Sequence, residues 1–166
     1  MAQVEPLDSL EATRERWAEI GAPKPSQFIA LMSILRATAI VTGRVDTALK
    51  DYGISRTGYL VMITLQMTPD RSRLLGQLSK ALLVHPTTVS LVIDQLMTSA
   101  LVERRVHPAD RRAVIAELTP KGLTLIEQAS AALADIDFGL IGTDDASAEQ
   151  LVTGLRGVRM RLGDIV

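Results

Sequence analysis

Residues 74–119 read LLGQLSKALLVHPTTVSLVIDQLMTSALVERRVHPADRRAVIAELT, and this stretch decides the fold of the 166-residue chain. Leu74 or Leu75, Leu78, Ala81 and Leu82 form an apolar stripe at helical spacing, which predicts a helix over 74–83. Val84-His85-Pro86 turns the chain, and Pro86 suits the first position of a second helix, where its missing N–H is not needed. That helix runs to about Ser99, with Val89, Val92 or Ile93, and Leu96 facing inward. Thr87, Thr88, Ser90, Leu91 and Gln95 are left facing outward. A solvated helix ordinarily carries Lys and Glu on such a face. Short hydroxyl side chains instead let a helix lie close to another surface while still donating to it. In a DNA major groove they reach phosphates, base edges or a thymine methyl. The helix N-terminus adds free N–H groups and a partial positive charge. An ordinary capped helix with polar decoration explains the same residues about as well, so the next segment decides.

Residues 101–105 alternate loosely and predict a strand, 106–110 a turn, and 111–118 a second strand. The result is a hairpin with an arginine-rich tip directly after a two-helix unit. Arginine at such a tip can enter a minor groove, where the negative potential is strongest. Asp110 is placed to orient the Arg112 guanidinium. A solubilising charge cluster is the common explanation for a single hairpin, but it is less convincing for one in this position.

Outward from this unit the chain is helical. A short helix over 7–20 carries Leu7, Leu10, Trp17 and Ile20 near one face, and Gly21 ends it. Trp17 reads as a packing anchor. Ala22-Pro23-Lys24-Pro25 is a stiff linker. The longest helix is expected over 26–52, capped by Ser26 and apolar over more than half its circumference. At this length it spans roughly 40 Å and needs more cover than one core face provides. A dimer interface is the natural source; a fully buried central helix is the alternative. A helix over 55–67 follows, capped by Ser55, and Arg71-Ser72-Arg73 reads as a very short strand. After the hairpin, Thr119 caps and Pro120 opens a helix running to about Leu140. The last helix is capped by Thr143 or by a Ser147-x-x-Gln150 box.

Composition removes other classes. Apolar residues make up 47% of the chain, which argues against disorder, and there are only five aromatics. Aliphatic side chains must therefore fill the core, as suits helices packed on helices. The absence of cysteine excludes disulfides, thiolate chemistry and Cys-ligated zinc. The acidic amino terminus does not resemble a signal peptide, and Arg36, Arg44 and Asp46 argue against a membrane span in the long helix. A cytoplasmic protein is expected. The formal net charge is −1, but residues 70–112 hold seven basic against four acidic side chains. Residues 1–25 hold three basic against five acidic, so the positive charge lies where a DNA-facing centre needs it.

The order helix, helix, outward-facing helix, hairpin, helix is a winged helix-turn-helix. Leu78-Ser79-Lys80-Ala81-Leu82, Thr88-Val89-Ser90 with Asp94 and Leu96, Leu101-Val102-Glu103-Arg104, Asp110-Arg111-Arg112 and Leu118-Thr119-x-x-Gly122 together resemble the MarR family of bacterial transcription regulators. The resemblance covers about residues 26–166, with 1–25 as an N-terminal extension and linker. It implies a mainly α (α+β) fold: a winged helix-turn-helix lobe over 55–119 with a two-stranded wing, and dimerisation helices over 26–52 and 120–166. It implies a homodimer on a pseudo-palindromic double-stranded operator, with the recognition helices roughly 34 Å apart in successive major grooves. It places DNA contacts on Pro86, Thr87, Thr88 and Ser90, on Arg104, and on Arg111 and Arg112 of the wing, with Asp110 as wing support. Many members are repressors released by a small aromatic or amphipathic effector, and the usual pocket position extrapolates to Arg36, Tyr52, Tyr59 and Met62. The sequence departs from the family's pattern at Leu91, where arginine is frequent, and at Leu74, where Thr or Ser usually caps. The extension with Trp17 is similar to a urate-responsive branch, but Leu60 and Val92 stand where that branch has its aspartate and arginine.

Three function classes follow. The first is a nucleoid-associated, sequence-specific DNA-binding regulator without catalysis or cofactor. The second is a winged-helix protein–protein adaptor without DNA binding, which the weak net charge and Leu91 favour. The third is an enzyme: the only histidines are His85 and His107, and no carboxylate pair, phosphate loop or metal-spaced cluster appears.

Overall fold

The computed structural model describes residues 9–164, except the side chains of Ser9 and Arg111. It falls into two compact units, 1–44 and 45–166, so the division lies inside the long helix rather than at the proline-rich linker.

The first unit holds α1 (Ser9–Glu19) and most of α2 (Pro25–Leu49). Leu7 of the expected first helix lies outside the described residues. The Trp17 ring stacks on Phe28 with centroids 3.7 Å apart, and Trp17 Nε1 donates to the Pro23 carbonyl at 3.0 Å. Trp17 thus packs its ring and satisfies its N–H within one hook, as the packing-anchor reading expected. The long helix begins at Pro25, so Ser26 lies inside its first turn and is not the cap. Leu31, Ile34, Leu35 and Ile40 on α2 are each more than 40% exposed. With the 3₁₀ turn at Lys50–Tyr52, α2 is long and apolar enough to cross a membrane by length and composition alone. Its most apolar window has a mean hydropathy of 1.6 and is 6% buried.

The second unit contains the core. Its elements are α3 (Arg56–Gln66), β1 (Ser72–Leu74), α4 (Leu75–Leu82), α5 (Pro86–Thr98), β2 (Val102–His107), β3 (Asp110–Leu118), α6 (Pro120–Ala134) and α7 (Asp145–Arg161). Val61, Met62, Leu65, Leu78, Val89, Ile93, Val102, Ala116, Ile126 and Leu133 are almost completely enclosed. They come from α3, α4, α5, both hairpin strands and α6, so one cluster ties the helix pair, the wing and the following helix together. The sheet is antiparallel in the order β1-β3-β2, so the two-stranded wing gains a third strand from residues 72–74. Ser72 fixes that strand: its hydroxyl donates to Asp70 Oδ2 at 2.6 Å and accepts from Arg105 Nη2 at 3.3 Å. This donation holds the Asp70 carboxyl below the usual carboxylate range. Ser72 is therefore occupied, and α4 begins at Leu75 with Leu74 at the N-cap and no side-chain cap bond.

Two other boundaries differ from the sequence expectation. The last helix is capped by Asp144, whose Oδ1 accepts from Ser147 N at 2.8 Å, and not by Thr143 or a Ser147 box. Asp serves better there because a carboxylate also complements the positive helix end. The helix after the hairpin stops at Ala134: Asp137, Phe138 and Gly139 all take left-handed φ values, although Ile136 continues the apolar period.

The junction between hairpin and α6 is closely packed at Gly122. Thr119 Oγ1 accepts from Gly122 N at 2.9 Å and can donate to the Ala100 carbonyl at 2.9 Å, with the Leu101 carbonyl 3.1 Å away. A Cβ on Gly122 would stand 2.1 Å from the Leu101 oxygen and 2.9 Å from Leu118 Cδ1. Only glycine permits this approach, because a backbone carbonyl held in a packed junction cannot yield. Gly122→Ala is expected to lower unfolding free energy by about 3 kcal/mol in urea titration. Gly76→Ala, where nothing lies within 4 Å of the added carbon, is expected to be neutral or to add about 0.5 kcal/mol. Equal midpoints for the two variants would show that the junction is looser than described.

Candidate nucleic-acid interface

The α5 helix presents two faces of opposite character. Val89, Val92, Ile93 and Leu96 are buried, whereas Pro86, Thr87, Thr88, Leu91, Asp94 and Gln95 are exposed and Ser90 is half-buried. The outward face is the one the sequence predicted. His85 caps the helix, its Nδ1 accepting from Thr87 N at 3.3 Å. The preceding turn passes through Leu83, which is left-handed at φ 52° and 75% exposed. Pro86, Thr87 and Thr88 stand on the first turn, where the helix N-terminus carries its positive partial charge.

The wing is fastened to this helix by Arg104. Its Nη1 lies 2.6 Å from Asp94 Oδ1, and its Nη2 donates to the Ser90 carbonyl at 3.0 Å. Only 28% of the side chain is exposed. Arg104 was expected to contact DNA; in the structure its guanidinium engages Asp94 and the Ser90 carbonyl of α5. The signal was present in the strand's alternation. Val102 is buried, and Arg104, two residues on, shares its face. The pair also neutralises Asp94, the one formal charge on α5, which would otherwise repel a phosphate.

The wing tip is a two-residue turn, Pro108-Ala109, closing the pair His107 and Asp110. His107 Nδ1 accepts from Ala109 N at 3.2 Å, and Asp110 Oδ1 accepts from Arg112 N at 2.9 Å. Asp110 therefore supports the wing through the backbone of Arg112 and not by gripping its guanidinium, as the sequence suggested. Arg112 is exposed on β3. Arg111 lies in β3 too, and its side chain is outside the described residues. Arg112 and Asp110 line a groove of about 490 Å³ whose other wall is Leu74, Leu75, Gly76, Gln77 and Lys80. Lys80 is exposed on α4, so two cations flank one groove beside the hairpin. Sequence reasoning counted Lys80 in the charge balance but gave it no site.

The residues suggested for an effector pocket are not alike. Met62 has no exposed surface and belongs to the core, so it does not line an open pocket. Tyr59 is buried, its hydroxyl 3.1 Å from Ser130 Oγ. Tyr52 is half-buried against the core, and Arg36 is exposed on α2. No cluster of three metal-binding side chains occurs among the described residues.

Comparison with known proteins agrees with this fold. The family model described as "MarR family" matches residues 52–113. The uncharacterized HTH-type transcriptional regulator YhbI of Bacillus subtilis is 30% identical over 119 residues, 72% of this chain and 76% of that protein. The MarR family transcriptional regulator Sco5413 of Streptomyces coelicolor superposes with a TM-score of 0.78 at 31% identity. The match covers 84% of this chain and 97% of that one. BpsR of Bordetella bronchiseptica, whose DNA binding is regulated by 6-hydroxynicotinic acid, gives 0.69 at 25% identity over 76% of this chain and 90% of its own.

If Arg104 acts by holding α5 and wing together, Arg104→Met should weaken binding to double-stranded DNA about tenfold while leaving the slope of log affinity against log salt unchanged. Loss of a direct phosphate contact would instead make that slope shallower by about one. Fluorescence anisotropy across a salt series distinguishes the two.

Proposed function

Because this chain belongs to the MarR family of transcriptional regulators, we propose that it is a sequence-specific repressor acting in the cytoplasm as a homodimer on a pseudo-palindromic operator. One observation carries the reading. The exposed hydroxyl face of α5 and the Arg112 wing are joined through Arg104 into a single body, so a groove reader and a backbone anchor hold a defined spacing. Pro86, Thr87, Thr88 and Ser90 meet phosphates and base edges, Arg112 enters the minor groove with Arg111 beside it in sequence, and Lys80 adds a phosphate contact. A second copy covers the apolar surface of α2 and of α7. The latter helix has no buried residue, and Leu151, Val152, Val158 and Met160 stand exposed.

Relief of repression by a small aromatic or amphipathic effector is supported by BpsR, which answers to such a compound. Tyr52 is the candidate contact retained from the sequence. Neither histidine is free for acid–base work on its Nδ1 side, since both accept a backbone N–H there. One observation favours a protein–protein adaptor instead: α5 carries no Lys or Arg.

Salt dependence separates the two readings. A DNA-binding dimer should lose affinity steeply between 50 and 200 mM salt, by about 10³-fold for roughly six neutralised phosphates. Arg112→Ala should weaken operator binding with the fold intact. Unchanged anisotropy for this variant would remove the wing from the interface, and absence of any DNA binding at low salt would favour the adaptor. Light scattering should give twice the 18.0 kDa chain mass; a monomer at micromolar concentration would leave α2 and α7 without the proposed cover.

A further inference from the structure

We propose that Leu91 determines operator specificity by reading the 5-methyl group of a thymine in the major groove; this rests on the DNA-binding reading above. Leu91 is 60% exposed at the middle of the outward face of α5. One turn before it are Thr87 and Thr88, and one turn after it are Asp94 and Gln95, all exposed. The opposite face is fully committed to the core through Val89, Val92, Ile93 and Leu96. Leu91 therefore cannot turn inward, and whatever the helix approaches must accommodate an isobutyl group.

The chemistry of the face narrows the partner. The helix has no cation, and its one anion is held by Arg104 at 2.6 Å. What remains around Leu91 is threonine hydroxyls and methyls, and an amide. Such a face cannot make the bidentate arginine contact that selects guanine O6 and N7. Placing Leu91 over guanine or over the cytosine amino group would cover polar base edges without pairing them, which is unfavourable. Thymine alone offers an apolar group on the major-groove edge. The leucine–methyl contact removes apolar surface from water on both partners, and it discriminates thymine from cytosine without a hydrogen bond. Selectivity at this position thus comes from shape and apolar contact, while Arg112 and Lys80 supply sequence-independent attraction.

The test begins with selection of bound duplexes from a random pool by the full-length protein. Each thymine of the selected site is then replaced in turn by uracil, which keeps base pairing and removes only the methyl. The expected result is one thymine per half-site whose replacement weakens wild-type binding about fourfold. Leu91→Ala should weaken binding to the thymine site by a similar factor and show no further loss with uracil at that position. Circular dichroism checks that the variant is folded, as expected for an exposed side chain. Uracil tolerated at every thymine, or full uracil sensitivity retained in Leu91→Ala, overturns the assignment while leaving DNA binding intact. Failure to retain any duplex at low salt overturns the DNA-binding reading itself, and this assignment with it.

Discussion

A single guanidinium joins the hairpin to the helix α5. Arg104 reaches from β2 to the Asp94 carboxylate and the Ser90 carbonyl of α5. A helix and a hairpin that touched only through aliphatic side chains could slide by fractions of an ångström, since apolar contact has little directionality. A charge-assisted contact to one group and a hydrogen bond to another fix rotation and translation together. The partly exposed setting keeps the net stabilisation small. Its consequence is geometric: Arg104 is committed to α5 and fixes the hairpin against it.

The hairpin needs a second fixed point, which the Thr119–Gly122 junction supplies. Thr119 follows β3, caps α6 and lies within hydrogen-bonding distance of the Leu101 carbonyl, while Gly122 lets α6 close onto that same carbonyl. Leu101, Leu118, Ile126 and Leu133 then belong to the core that also holds α3 and α5. Wing, α5 and α6 are therefore packed into one core. Both α2 and α7 carry large apolar side chains that stand exposed.

The legible parts of the sequence were those governed by neighbours in the chain. Ser55 and Thr119 cap their helices through Gly58 N and Gly122 N, and Pro86 opens α5, because a cap reaches only three residues. The outward face of α5 followed from apolar spacing alone. The cap of α7 was misplaced by one residue, since Thr143 and Asp144 are both competent and only the backbone turn chooses between them. Leu74 stands at the N-cap of α4 without a side-chain bond, and the nearby Ser72 is held by Arg105, 33 residues away, and by Asp70.

The sequence by itself determined the winged helix-turn-helix, the face α5 turns outward, and the placing of arginine on the wing, because periodicity, caps and turn residues act over a few positions. Only the tertiary structure decided which polar side chains are free. Arg104 and Arg112 are the same residue type eight positions apart on one hairpin, yet one is spent on Asp94 and the other stands in solvent. Asp110 grips a backbone N–H and not a side chain, and Met62 is walled into the core. Each outcome depends on which element packs against the residue, and that packing is settled by contacts between segments far apart in the chain.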